Sequence, residues 1–304
     1  MIEIIKKIRN FIFQLCETAF SIGIIILLSK WKTDIKNNHK DNECIVMGNG
    51  PSLNQDIEKL LPIKNKFDFI CVNDFALSEY FSIIKPRYYV LLDPYYWDDS
   101  LSGDYLLSRQ NLFSRIVSNT SWEMNIFIPF EMGKSKLIIN DKLFIHNKNI
   151  KFSYFNRVPL SGFNKFRFFS FRNNLGLPSG QNVLIAAILI GLNLGYKKVY
   201  LLGADYSFHE QIIVDNNNMV YLIWKHFYDE NINENSTKLL PYSRNHAVYN
   251  PNKIYELFNI WADAFKNFLI LNDYANYIGS KIYNLSNKSY IDAFERKKIE
   301  SLYS

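Results

Sequence analysis

The chain has 304 residues, of which 48% are hydrophobic, so it can bury the core of one large α/β domain or two small ones. Its net charge of +6 is modest, and it contains no long run of like charges of the kind that binds nucleic acid. Composition therefore excludes a disordered chain and argues against a nucleic-acid partner.

The first 32 residues differ in kind from the rest of the chain. Residues 10–29 are almost wholly apolar and are flanked by cationic side chains on both sides. Twenty residues are just enough to cross a bilayer, whereas Glu17 and the cationic flanks fit a helix that lies in the membrane interface. A helix buried within the globular fold is the third possibility. No small-residue cleavage site follows, which argues against a removed signal peptide.

Cysteines and histidines indicate the compartment and the use of metals. The cysteines Cys16, Cys44 and Cys71 form no Cys-x-x-Cys pair and are typical of reduced core residues of a cytoplasmic protein. The five histidines lack metal-ligand spacing, and the chain has no Asp-x-Asp pair of the kind that holds a divalent ion on a diphosphate. We therefore expect neither a metal site nor a cofactor.

Short apolar runs that end in polar residues follow the N-terminal segment. The runs are 44–47, 67–72 and 88–92, and they end at Gly48-Asn49-Gly50-Pro51-Ser52, at Asn73 and at Asp93, respectively. In open α/β sheets ligands bind beyond the carboxyl ends of the parallel strands. These polar residues should therefore gather on one rim of a sheet.

The second half of the chain repeats this pattern after an aromatic-rich, basic stretch from about 97 to 174. Ser179-Gly180 opens an apolar helix to Leu194, the strand 198–202 ends at Gly203-Ala204-Asp205-Tyr206, a long helix runs from about 251 to 279 with Asn250 as its N-cap, and a last strand spans 281–284. The pattern predicts a Rossmann-like, mostly parallel sheet with helices on both faces over residues 44–296. Lid insertions at about 97–174 and 207–245 and the hydrophobic helix 1–32 complete the predicted organisation.

The glycine-rich turn is the first candidate for ligand chemistry. Gly48 and Gly50 permit backbone N–H groups to approach an anion, and Pro51-Ser52 launches a helix whose N-terminus favours phosphate. The turn matches neither the Gly-x-Gly-x-x-Gly fingerprint nor the P-loop, so the NAD and P-loop ATP hypotheses lose support.

Three further candidates accompany this turn. The helix start at Ser179-Gly180 could hold a second anionic group, and Asp205 could contact loop amides or a ligand. Among the loop histidines, His246 precedes the long helix and could act as a general base, and from the residues alone His209 and His226 are equal candidates.

Together these motifs resemble the bacterial lipooligosaccharide sialyltransferases. The similarity covers about residues 44–285 and is specific in Gly48-Asn-Gly-Pro-Ser-Leu53 and in 195–206, Gly-Tyr-Lys-Lys-Val-Tyr-Leu-Leu-Gly-Ala-Asp-Tyr. The chain lacks the arginine that the family has shortly before Ser179-Gly180, and it has Asp93 where the family has Asn.

That resemblance implies a metal-independent, inverting transferase that uses a CMP-activated nonulosonic acid as its donor. His246 would be the general base, Asn49 and Asn73 would contact the donor, and Ser179, Gly180, Asp205 and Tyr206 would flank the nucleotide. The acceptor would be a glycan or a lipid-linked glycan, which places the enzyme on the cytoplasmic side of the inner membrane, peripheral to its inner leaflet or anchored in it.

A second resemblance competes with the first. The Gly-Asn-Gly-Pro-Ser-Leu turn and the segment Lys85-Pro-Arg-Tyr-Tyr-Val-Leu-Leu-Asp-Pro94 are similar to the 6-hydroxymethylpterin diphosphokinase MptE-like domain. This resemblance implies an enzyme that depends on ATP and Mg²⁺. The sequence thus leaves three functions open: a sialyltransferase-like glycosyltransferase, a diphosphokinase, and a non-catalytic nucleotide-binding protein of a glycan locus.

Overall fold

The fold is described from a computed structural model of the chain. The structure describes residues 1–31, 35, 37–39, 42–98, 100, 103–134, 147–178, 182–222, 227, 240–241 and 253–303. Within these ranges an eight-stranded sheet organises the molecule, and two small sheets accompany it.

The strands and helices are numbered in chain order. The strands are β1 (Glu43–Met47), β2 (Asp68–Val72), β3 (Tyr88–Val90), β4 (Met124–Pro129), β5 (Ile150–Phe155), β6 (Pro159–Leu160), β7 (Leu177–Pro178), β8 (Lys198–Leu202), β9 (Ile212–Val214), β10 (Val220–Leu222), β11 (Leu240–Pro241), β12 (Lys281–Asn284) and β13 (Glu295–Arg296). The helices are α1 (Ile2–Leu28), α2 (Leu53–Leu60), α3 (Tyr80–Ile84), α4 (Gly103–Asn119), α5 (Asn164–Arg172), α6 (Val183–Leu194) and α7 (Ile254–Tyr277).

The main sheet is parallel throughout, in the order β13-β12-β8-β1-β2-β3-β4-β5. Along the chain, the sheet grows from β1 through β2 to β5 in one direction, and then from β8 to β13 in the other. The direction therefore reverses at the boundary between β1 and β8. This is a doubly wound α/β sheet, and the Rossmann-like fold predicted from the sequence is confirmed.

Helices cover both faces of this sheet, which explains why its central strands are apolar without alternation. Cys44 and Val46 of β1 lie in the same buried cluster as α6 and α7, whereas Ile45 and Met47 lie in the cluster with α2, α3 and α4. Helix α6 is apolar on all sides because it is buried between the sheet and α7, and it ends at Gly195 in the left-handed conformation, φ 99°.

The sequence pattern predicted a lid insertion over about 97–174. The described part of this range instead contains β4 and β5, which continue the main sheet to its edge, and α4, which packs on one face. Strand β5 was not predicted because it mixes buried and exposed residues, as an edge strand does. The described part of 207–245 forms a separate antiparallel sheet of β9, β10 and β11. Helix α7 begins at Ile254 with Lys253 at its N-cap position, and Asn250 lies outside the described residues.

Helix α1 is long and apolar enough to cross a membrane, by length and composition alone. Only 11% of its most apolar window is buried in the protein, so the alternative of a buried core helix is wrong. The helix rests against the domain along one narrow stripe, in which Ser21 and Ile25 are buried.

The link from α1 to β1 is fixed at the amino edge of the sheet by a buried histidine. His39 shares a hydrogen bond of 2.7 Å with the hydroxyl of Tyr88 and stacks on Tyr196. Its Nδ1 lies 3.8 Å from the carboxylate of Asp68. Burial and the nearby charge of Arg87 lower the pKa of His39, and Asp68 opposes them. The neutral imidazole is thus the form that the fold favours.

Candidate functional site

The turns after β1 and β8 meet at the point where the sheet reverses direction. Met47 and Leu202, the last residues of the two strands, are paired, and the N–H of Gly48 donates to the carbonyl oxygen of Leu202 at 2.8 Å. The N–H of Gly50 donates to the carbonyl oxygen of Gly203, also at 2.8 Å. Ligands of doubly wound sheets bind at such a switch point. The sequence therefore placed its two glycine-containing turns correctly, on one rim.

The glycines are required because the two turns touch. A Cβ on Gly48 would lie 2.3 Å from the carbonyl oxygen of Gly203, and one on Gly50 would lie 2.3 Å from Oδ1 of Asp205. Gly203 has a positive φ of 64°. The glycines were expected to leave N–H groups open to an anion. Instead, those of Gly48 and Gly50 donate to protein carbonyls, so other donors must hold a bound anion.

Asp205 joins the two turns through Ser52. One carboxylate oxygen accepts from the N–H of Ser52 at 2.9 Å, and the other accepts from its hydroxyl at 2.5 Å. The residue is only 4% exposed, and burial raises the pKa of its carboxyl while the hydrogen bonds from Ser52 oppose that shift. Because Ser52 is the N-cap of α2, the carboxylate of Asp205 sits where a phosphate would sit in a P-loop protein.

Two asparagines on the rim carry unpartnered acceptors. Asn49 donates through Nδ2 to the carbonyl oxygen of Val72 at 3.2 Å, which ties the end of β1 to that of β2. Its Oδ1 and that of Asn73 are buried and have no hydrogen-bond partner within the described part of the chain. Asn73 also has a positive φ of 47°. A buried acceptor without a donor is costly, so both oxygens are candidate acceptors for water or for the hydroxyl or amino groups of a ligand.

The remaining predicted residues either make contacts within the protein or lie outside the described residues. Asp93 is exposed and caps a short 3-10 turn by accepting from the N–H of Tyr95 at 3.0 Å. The ring of Tyr206 is buried against Phe208, Phe265 and Phe268. Ser179, Gly180, His226 and His246 lie outside the described residues, and His209 packs edge-on against Tyr290.

Some residues that hold the rim could not be found from the sequence. The N–H of Phe227 donates to the carbonyl oxygen of Asn49 at 3.2 Å, and Asn54 Nδ2 donates to the carbonyl oxygen of Phe227 at 2.7 Å. On the other turn, the hydroxyl of Ser286 accepts from the N–H of Ala204 at 2.9 Å. These contacts join segments that are far apart in the chain, and no local motif marks them.

The start of α6 lies at the same end of the sheet as this rim. Helix α6 ends at Leu194, and β8 begins at Lys198, so the helix runs from the carboxyl edge of the sheet back to the amino edge. Asn182 caps its N-terminus by accepting from the N–H of Leu184 at 2.8 Å. The positive end of the helix dipole is therefore at the carboxyl edge of the sheet, and the binding of an anion there stays a prediction.

A cleft of about 980 Å³ lies at the opposite, amino edge of the sheet. Lys198 at its wall pairs with Glu43 at 2.5 Å, and Arg87 pairs with Asp68 at 3.2 Å. None of the predicted site residues lines it, and the switch-point rule places ligands at the other edge. The candidate site is therefore the rim and not this cleft.

Fold and rim together define a doubly wound parallel α/β protein with a candidate ligand site at its topological switch point. The family model of the 6-hydroxymethylpterin diphosphokinase MptE-like proteins matches residues 26–211. Because this is more than half of the chain, the protein belongs to the MptE-like family. Of the two resemblances drawn from the sequence, the MptE-like one is thus confirmed.

Two further comparisons were made. A search of curated proteins gave no significant match. Among solved structures, the chain is similar to the MAf glycosyltransferase from Magnetospirillum magneticum AMB-1, with a TM-score of 0.49 and 14% identity. The similarity covers 90% of this chain and 36% of that chain, so this protein corresponds to little more than a third of that glycosyltransferase.

Proposed function

We propose that this protein is a glycosyltransferase of bacterial surface-glycan synthesis that uses a nucleotide-activated sugar. The observation that carries the proposal is the unpartnered Oδ1 of Asn49, at a rim where the N–H groups of Gly48, Gly50 and Ser52 already have protein acceptors. Such a rim is poor in donors for a triphosphate and offers acceptors for the hydroxyl and amino groups of a nucleoside or a sugar. This favours sugar transfer over phosphoryl transfer.

The donor that we propose is a CMP-activated nonulosonic acid, as the sialyltransferase resemblance implies. The nucleoside would lie over Asn49 and Asn73, and its single phosphate would face the N-terminus of α6, whose dipole favours an anion. A lone phosphate needs less neutralisation than a diphosphate does, and we propose that no metal takes part.

In this mechanism His246 removes the proton from an acceptor hydroxyl. The oxygen attacks the anomeric carbon, the bond from that carbon to the phosphate oxygen breaks, and CMP leaves with the bonding electrons. Attack from the face opposite CMP inverts the anomeric configuration. We place the reaction at the cytoplasmic side of the inner membrane, where a lipid-linked glycan can serve as the acceptor.

A second candidate function is a diphosphokinase that depends on ATP and Mg²⁺, because the chain belongs to the MptE-like family. Magnesium needs carboxylate oxygens near the phosphates. On the rim these would be Asp74, which accepts from the hydroxyl of Tyr96 at 3.0 Å, and Asp93. Each already accepts a hydrogen bond from the protein, which is why we rank this function second.

Thermal unfolding of the purified chain with CMP, UDP, GDP or ATP, each in EDTA and in Mg²⁺, tests the proposal, since a ligand of the native state raises the midpoint. Selective stabilisation by CMP in EDTA is the expected result. A shift with UDP or GDP would replace the donor, and a shift only with ATP and Mg²⁺ would favour the diphosphokinase.

Transfer from a CMP-sugar by His246→Ala then tests the catalytic step, with His226→Ala as the matched loop-histidine control. Loss of a general base lowers turnover by about 100-fold or more, whereas the control should keep the wild-type rate. Activity of His246→Ala within about tenfold of wild type would exclude the general-base role. Nucleotide binding without turnover by the wild type would point to a non-catalytic protein.

A further inference from the structure

We propose that α1 lies in the plane of one leaflet of an anionic lipid bilayer and does not cross the membrane. The helix is docked lengthwise on the domain, and the face that it turns away from the domain is apolar except at Arg9, near its N-terminal end. Both features follow from contacts of the described residues.

The docked stripe is polar and closely fitted. The hydroxyl of Thr18 accepts from the N–H of Phe163 at 3.0 Å, and that of Ser21 accepts from the N–H of Ser161 at 3.0 Å. A Cβ on Gly162 would lie 2.1 Å from Oγ1 of Thr18, so the helix touches the backbone of this segment. Polar contacts of this kind specify one orientation of the helix on the domain.

The docking continues to both sides of these residues. Further along, the hydroxyl of Ser29 donates to the carbonyl oxygen of Leu175 at 2.5 Å. Toward the N-terminus, the ring of Phe11 contacts that of Phe163, with centroids 5.4 Å apart. The stripe therefore runs from Phe11 to Ser29.

This docking occupies the part of the helix that could span a bilayer. The apolar stretch 10–29 coincides with the docked stripe from Phe11 to Ser29, and its 20 residues are just the length that a hydrocarbon core of roughly 30 Å requires. The part of the helix before Phe11 carries Lys6, Lys7 and Arg9, so it cannot take the place of that stretch in the hydrocarbon core. A spanning helix would have to break the contacts of Thr18, Ser21 and Ser29, or draw the polar domain surface into lipid.

The outward face is a continuous apolar surface. The residues opposite the docked stripe at helical spacing include Ile5, Ile12, Phe13, Phe20 and Leu27, whose exposed fractions are 59, 54, 63, 69 and 82%. Soluble monomers rarely expose an apolar patch that runs the length of such a helix. Something must therefore cover this face.

Charge favours a lipid surface over a second copy of the chain. Lys6, Lys7 and Arg9 flank the apolar face near one end, and Lys30 and the 71%-exposed Trp31 follow the other end. Cations and tryptophan at the rims of an apolar face are typical of helices in the headgroup region of anionic bilayers. Arg9 is itself on the outward face, where a helix pair would bury its charge but lipid lets it extend to the headgroups.

A fluorophore depth profile tests this orientation on the full chain. Cys16 is exposed on the outward face, and Cys44 and Cys71 are buried, so an environment-sensitive maleimide labels Cys16 selectively. Two further labelling sites, Ile5→Cys and Leu27→Cys, are made in the Cys16→Ala chain. Quenching by brominated lipids is then measured in vesicles of equal parts phosphatidylcholine and phosphatidylglycerol.

An in-plane helix gives the same shallow depth at all three positions. A profile with position 16 deepest and positions 5 and 27 near opposite surfaces, each about 16 Å away, would overturn the proposal in favour of a span. Failure to bind these vesicles would also overturn it. A dimer that is lost on mutation of the outward face would then identify a second copy as the occupant.

A matched pair of variants separates this face from general surface hydrophobicity. Phe20→Glu should lower the vesicle-bound fraction at least about tenfold, because it places a charge in the buried face. Leu107→Glu, at a 63%-exposed position of α4, should leave binding unchanged. Equal loss in both variants, or in neither, would contradict the assignment of α1 as the membrane contact.

Discussion

Removing the carboxylate of Asp205 should destabilise the protein by an amount that its two hydrogen bonds predict. In Asp205→Ala the N–H and the hydroxyl of Ser52 lose their acceptors in a site where Asp205 is only 4% exposed. Buried donors left unsatisfied cost about 1–3 kcal/mol each, which gives a loss of about 2–6 kcal/mol for the two. With an unfolding entropy of roughly 2 cal/mol/K per residue, the midpoint of a chain of this size should fall by about 3–10 °C.

Asp205→Asn is the matched isostere. Its amide oxygen can accept from the N–H of Ser52 while its NH₂ group donates to the hydroxyl, so both contacts survive in neutral form. Because burial raises the pKa of Asp205, the fold already disfavours the ionised carboxylate, and losing the charge removes that penalty. We expect the Asn variant to unfold within about 1 kcal/mol of wild type.

Nucleotide titration of Asp205→Asn by calorimetry then distinguishes a structural residue from a ligand contact. If Asp205 only joins the two turns, the variant should bind the stabilising nucleotide with an affinity within about threefold of wild type. If it contacts the ligand, affinity should fall by about tenfold or more, as for a lost charged hydrogen bond. Wild-type stability of Asp205→Ala would refute the structural reasoning.

Three further predictions follow from other contacts. Gly48→Ala places a Cβ 2.3 Å from a backbone carbonyl oxygen and should cost about 1–3 kcal/mol in denaturant unfolding, whereas Gly23→Ala, with nothing within 4 Å and within a helix that favours alanine, should not lower stability. Burial lowers the pKa of His39, so its contribution to stability is present above about pH 6.5 and is lost as the pH falls. When the pH is lowered from 7.5 to 5.5, the urea midpoint of the wild type and of the other variants should therefore fall by about the same amount. The urea midpoint of His39→Asn should fall by less. Asn49→Asp should weaken nucleotide binding about tenfold or more, because it adds a negative charge to a site that binds an anionic nucleotide, while Asn65→Asp at the amino edge should not change it.

The elements that the sequence predicted best are those whose environment is uniform. The apolar runs of β1, β2 and β8 are buried on both faces, so hydrophobicity alone marks them. The runs also end in glycine or asparagine, which marks the carboxyl edge of the sheet. Strand β5 mixes buried and exposed residues because it lies at the edge of the sheet, and the aromatic residues around β4 and β5 suggested a lid.

The turns that form the candidate site could be placed at one edge of the sheet from the sequence, but the contacts between them could not be predicted. The motif indicates that positions 48 and 50 tolerate no side chain. It cannot show that the carbonyl oxygen of Gly203 lies where a Cβ would be. Likewise, Ser52 and Asp205 are separated by 153 residues, and only the folded sheet brings them together. Their assignment as donor-binding residues stays a prediction, which the Asp205 variants test.

The link between Asp205 and Ser52 has a consequence for how this site would hold a nucleotide. In a P-loop protein the first helix after the first strand offers its N-terminus to phosphate. Here the protein's own carboxylate occupies the start of α2, and a second anion there would be repelled. The start of α6 lies at the same edge of the sheet, but α6 packs on the opposite face from α2. We therefore expect the two sides to have different roles, with Asn49 and Asn73 contacting the nucleoside and α6 facing the phosphate. If so, substitutions at the asparagines should change which base is bound, whereas substitutions before α6 should weaken all nucleotides alike.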